Sequence, residues 1–94
     1  MRKYELVCII QPDLDETAFN GVLDKVKGWV SESGGSVDKV DVWGRRKMAY
    51  IIRKYKEGQY ILMNITINPA ATTDLERNLR FQESVIRHML SVVG

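Results

Sequence analysis

Six apolar residues, Phe19, Val22, Leu23, Val26, Trp29 and Val30, recur at spacings of three and four. Only a helix gathers residues so spaced onto one face, and that face must be covered. The segments on either side obey a different period. From Tyr4 to Ile10, Leu6, Cys8 and Ile10 alternate with Glu5, Val7 and Ile9, and from Ser36 to Tyr55 the valines of Val37, Val40 and Val42 give way to Met48, Tyr50 and Ile52. Alternation of this kind belongs to strands. The chain is thus committed to strands packed against at least one amphipathic helix.

Punctuation sets the expected boundaries. Gln11-Pro12-Asp13 ends the first strand, and Asp13 with Glu16 has the spacing of a capping box, so a helix is expected from there to the left-handed stop at Gly34-Gly35. The alternation slips between Val37 and Val40, and Trp43-Gly44 predicts a bulge or bend in one long strand. Lys56-Glu57-Gly58-Gln59 is the expected hairpin turn, followed by a strand from Tyr60 to Asn68 that Pro69 ends. Thr73 with Glu76 resembles a second capping box, predicting a short helix over 72–82. A last strand, Val85 to Val93, sets Ile86, His88, Leu90 and Val92 opposite Val85, Arg87 and Met89. The order strand, helix, strand, strand, helix, strand predicts an α+β ferredoxin-like βαββαβ sandwich, a four-stranded antiparallel sheet with both helices on one face. At 94 residues, 1–94 is expected to form one domain.

Charge is segregated although its sum is small, +2 from 14 basic and 12 acidic residues. Residues 13–42 carry seven acids against Lys25, Lys27 and Lys39, a balance of −4; residues 43–60 carry Arg45, Arg46, Lys47, Arg53, Lys54 and Lys56 against Glu57, a balance of +5. Concentrated positive potential suits a polyanionic partner; the alternative is a hairpin kept soluble by its lysines and arginines. An RNA-recognition motif is not indicated, because Leu62 stands where its signature strand wants a second aromatic after Tyr60. RNA, if bound, is expected to be held through phosphates.

Catalytic chemistry has few candidates. His88 is the one histidine and is expected on the helix-covered side, and Cys8, the one cysteine, reads as a small hydrophobe in mid-strand. A single cysteine cannot form an internal disulfide, which fits the reducing cytoplasm. No signal segment, phosphate loop, metal-loop spacing or cofactor motif is apparent, so neither cofactor nor metal is expected. Trp29 belongs to the helix stripe, whereas Trp43, beside Gly44 and two arginines, is either an interface anchor or a cap on the core.

The opening MRKYELVCII, the central DVWGRRKMAYIIRKYKEGQYILM and the later LERNLRFQESVIRHML resemble ribosomal protein six of the bacterial small subunit, over essentially the whole chain. Ile51 departs from the family's frequent proline. The resemblance implies a ferredoxin-like, non-catalytic structural protein of the small ribosomal subunit. It also implies binding to the central domain of small-subunit ribosomal RNA together with ribosomal protein eighteen, and a cytoplasmic location on the ribosome. Arg2, Lys3, Lys54, Lys56, Arg80 and Arg87 are then the expected RNA contacts. Trp43, Arg45 and Arg46, with the second strand at a sheet edge, are the expected protein interface, the two arginines facing either protein or RNA.

Overall fold

In the computed structural model, which describes residues 1–93, the elements are β1 (Arg2–Ile10), α1 (Glu16–Glu32), β2 (Ser36–Ile52), β3 (Tyr55–Ile67), α2 (Thr72–Phe81) and β4 (Val85–Val92), with a 3-10 turn at Pro69–Ala71. The sheet is antiparallel in the order β2-β3-β1-β4. That is the ferredoxin-like arrangement, with β1 central and β2 at an edge, as the sequence predicts.

Tyr4, Leu6, Cys8 and Ile10 of β1 and Ile61, Met63, Ile65 and Ile67 of β3 share the face that meets the helices, and with Phe19, Val22, Leu23, Val26 and Val30 of α1 and Leu75 and Leu79 of α2 they form the core. Trp29 packs at its margin. The end of α1 is as expected: Gly34 takes φ +84°, its N–H donates to the Ser31 carbonyl, and the Gly35 N–H reaches Val30 at 3.0 Å. These two bonds satisfy carbonyls that the helix leaves open.

Both capping assignments need correction. Asp15, not Asp13, caps α1, its carboxylate accepting the Ala18 N–H at 2.8 Å. Asn68, not Thr73, starts the second helical segment by accepting the Ala70 N–H at 3.0 Å, ahead of Pro69. Asn68 suffices there because proline has no N–H to satisfy and its fixed φ suits a helix start.

The hairpin turn also differs. Ile52 pairs with Tyr55, so Arg53 and Lys54 form the two-residue turn, at φ +50° and +71°. Positive φ at both positions is the geometry whose twist matches the flanking strands. Gly58 lies instead inside β3, where a Cβ would stand 2.3 Å from Ile9 Cγ2. Its lack of a side chain serves a close approach, not a turn. The pairing of β1 with β4 shifts register between Ile9 and Ile10, so that Val85 pairs with Ile10 and joins the core cluster, while Ile86 is buried outside that cluster.

Candidate nucleic-acid interface

β2 is irregular where it needs to reach beyond the sheet. Its register against β3 shifts between Val37 and Lys39 and again between Val42 and Gly44, with Gly44 at φ +85°, so the expected slip and the expected bulge are both present. A third irregularity carries no sequence signal. From Lys47 to Ile52 β2 takes five steps while β3 takes two from Glu57 to Tyr55. The surplus lets Met48–Ile52 arch over the face opposite the helices. Beneath lies a small cavity, about 150 Å³, lined by Ile9, Met48, Ile52, Tyr60 and Met89 together with Tyr50 and Arg87. The open face is therefore covered at this end, and Ile9 is only 4% exposed although it points away from the helices.

The hairpin tip, the end of β1, the end of α2 and the start of β4 all lie at one end of the sheet, because Ile10 pairs with both Gln59 and Val85. Here stand Lys54 in the turn, Lys56 just after it, Arg80 in the last turn of α2 and Arg87 on β4, all exposed. Arg53, which the sequence does not single out, joins them and donates to the Glu83 carbonyl at 3.3 Å. Arg2 and Lys3 do not. They begin β1 at the opposite end, where Lys3 pairs with Thr66. Ten residue steps along β3 separate Thr66 from Lys56, roughly 33 Å of strand. The six cations expected at an RNA surface thus divide into four at one end of the sheet, with Arg80 on the helix side and Arg87 on the opposite face, and a distant pair.

The three residues expected at a protein interface also divide. Trp43, 41% exposed, stacks on Tyr60 with ring centroids 6.4 Å apart and planes at 13°, and the Arg46 guanidinium lies 5.2 Å from its ring centroid. Arginine over indole combines a cation with a π face, so Arg46, Trp43 and Tyr60 form one ordered stack. Arg45 turns elsewhere. Its Nη2 donates to the Pro12 carbonyl at 2.7 Å and its Nη1 lies 3.8 Å from Glu57, tying the edge strand to the β1–α1 loop.

The one cysteine and the one histidine have packing surroundings. Burial pushes the Cys8 thiol up to about 12, because a thiolate there would lose its water. His88 faces α2, with Nε2 3.4 Å from Glu76 Oε1 and only 17% of its side chain exposed. At the far end of the sheet Asp38 accepts from Thr66 Oγ1 at 2.6 Å and from Ser36 Oγ at 2.8 Å, and these bonds hold its carboxyl below the usual range.

Residues 3–91 match the family described as Ribosomal protein S6. The chain is similar to the small ribosomal subunit protein bS6 of Clostridium botulinum strain Loch Maree, 48% identical over 90 residues and 96% of each chain. It is also similar to bS6 of Moorella thermoacetica, 42% identical over 91 residues, covering 97% of this chain and 93% of the other. Among solved structures, 30S ribosomal protein S6 from Thermotoga maritima superposes with a TM-score of 0.91 at 31% identity, over 98% of this chain and 87% of that one. The C-terminal domain of the MgtC protein from Mycobacterium tuberculosis, at 14% identity and a TM-score of 0.66, shares the fold alone.

Proposed function

The chain belongs to the ribosomal protein S6 family of the small subunit, and from that membership we propose that it binds the central domain of small-subunit ribosomal RNA together with ribosomal protein eighteen. On this reading it is a non-catalytic structural constituent of the ribosome in the cytoplasm. The observation that carries the RNA reading is the gathering of Lys54, Lys56, Arg80 and Arg87 at one end of the sheet. Cations so placed neutralise phosphates and release their counterions, a grip that positions the protein without reading bases. Arg2 and Lys3 make a second, separate phosphate contact at the other end.

The protein partner is assigned to the β2 edge, with the Trp43 indole and the Arg46 guanidinium as its anchor. Tryptophan and arginine are the residue types that most often dominate interface energetics. Arg45 has a supporting role, since its guanidinium already serves the Pro12 carbonyl.

Binding to a central-domain RNA fragment, measured over a range of salt concentrations with ribosomal protein eighteen present, tests the reading. Replacing both Lys54 and Lys56 by alanine removes two phosphate contacts, and the slope of log affinity against log salt should flatten by about 1.4 to 1.8. An unchanged slope would remove the hairpin end from the interface.

A further inference from the structure

We propose that Tyr50 is a positioning residue, which holds Arg87 and moors the overhanging β2–β3 hairpin to β4 so that RNA meets cations already in order. The inference rests on the RNA-binding reading above and names a residue that touches neither core nor phosphate.

β1 ends at Ile10, opposite Gln59, so Tyr55–Gly58 and the turn before them pair only with β2. A two-stranded ribbon has little stability of its own in water. This one also carries two non-glycine residues at positive φ, Arg53 and Lys54, a conformation disfavoured for L side chains. Besides the apolar lining that Met48 and Ile52 share with Ile9 and Met89, two polar contacts hold it. The Tyr50 hydroxyl accepts a hydrogen bond from Arg87 Nη1 while the Arg87 guanidinium carbon lies 5.9 Å from the Tyr50 ring centroid. Arg53 Nη1 donates to the Glu83 carbonyl just before β4. Both contacts span from the hairpin to the β4 side, across the central strand.

Tyr50 is 59% exposed, so apolar burial is not its main contribution. Its geometry serves Arg87. A guanidinium carries five N–H donors in a rigid fork, and one given to the phenol leaves the others for phosphate oxygens. An arginine and a hairpin already fixed lose less freedom when RNA arrives than mobile ones do. Tyr50 therefore acts on affinity through order, with no contact to the RNA.

The test uses the full chain with Tyr50→Leu and Tyr50→Phe, each made also in an Arg87→Ala background. Amide exchange at Arg53–Lys56 in the free protein reports the mooring, and titration of a central-domain RNA fragment across salt reports its effect. Tyr50→Leu should speed hairpin exchange and weaken RNA binding by roughly fivefold to tenfold, with the salt slope unchanged because the same phosphates are finally met. Tyr50→Phe keeps the ring and should fall between Tyr50→Leu and wild type. In the Arg87→Ala background the Tyr50 substitutions should change affinity little, an outcome that general loss of stability would not give. Wild-type exchange rates in Tyr50→Leu, or loss of hairpin order with wild-type affinity, would overturn the positioning role while RNA binding by the unmodified protein stood. Absence of salt-dependent RNA binding by the unmodified protein would remove the RNA reading itself, and the positioning role with it.

Discussion

Replacing Gly58 by alanine tests the account of why glycine stands in the middle of a strand. The added Cβ would lie 2.3 Å from Ile9 Cγ2 and 3.4 Å from the Ile10 carbonyl oxygen. Carbon atoms pack best at about 3.5 to 4.0 Å, so the contact with Ile9 is too close by more than about an ångström. Ile9 is buried, 4% exposed, and its side chain borders the small cavity under the arch of β2. Overpacking of this kind costs about 1 to 3 kcal/mol. For a chain of this size each kcal/mol shifts the melting midpoint by about 4 to 8 °C, so a fall of roughly 5 to 20 °C is expected in a thermal scan followed by circular dichroism. Ile9→Ala removes the offending methyl. The double substitution should therefore lose less stability than the two singles added together, by about 1 kcal/mol or more. A midpoint for Gly58→Ala within about 2 °C of wild type, which on the same scale is under about 0.5 kcal/mol, or strict additivity with Ile9→Ala, would refute the close-approach argument.

Three further outcomes are expected. Because hydrogen bonds from Thr66 and Ser36 lower the Asp38 carboxyl below its unfolded value, its contribution is present above the ordinary carboxylate range and lost as pH falls through the folded value; Asp38→Asn should flatten acid denaturation curves, and superimposable curves would count against those bonds. The Cys8 thiol, pushed up to about 12, stays neutral in the folded protein while the unfolded chain ionises near pH 9, so stability should decline as pH rises above about 9, and Cys8→Ala should remove that decline. Trp43→Ala should weaken binding to purified ribosomal protein eighteen in calorimetry without RNA by about 2 kcal/mol or more, roughly thirtyfold. Equal binding by the two forms would exclude Trp43 as the anchor.

How far the sequence could be read depends on which physical signal each feature leaves. The α1 stripe and its Gly34 stop come from local periodicity and from a conformation glycine adopts freely, and both survive in the structure. The hairpin turn does not announce itself, since Arg53 and Lys54 adopt positive φ without the glycine or asparagine that usually marks such a turn, while Gly58 draws attention to the wrong place. Caps fail for a similar reason: Asp13, Asp15, Asn68 and Thr73 are all competent acceptors, and backbone path decides among them. Charge counting finds the cations but not their distribution, because Arg2 and Lys3 are separated from the hairpin by strand direction. The Tyr50–Arg87 contact spans 37 residues and depends on the surplus of β2 over β3, which only register reveals.

Whether the protein resides on the small ribosomal subunit is decided by sedimentation of the native protein through a sucrose gradient, from cells lysed in moderate salt. The chain should travel with small ribosomal subunits, and charge-removing substitutions at Lys54, Lys56, Arg80 and Arg87 together should shift it to the top of the gradient while the variant remains folded by circular dichroism. Wild-type protein found only at the top of the gradient, or a fully substituted variant still bound to small subunits, would contradict that expectation.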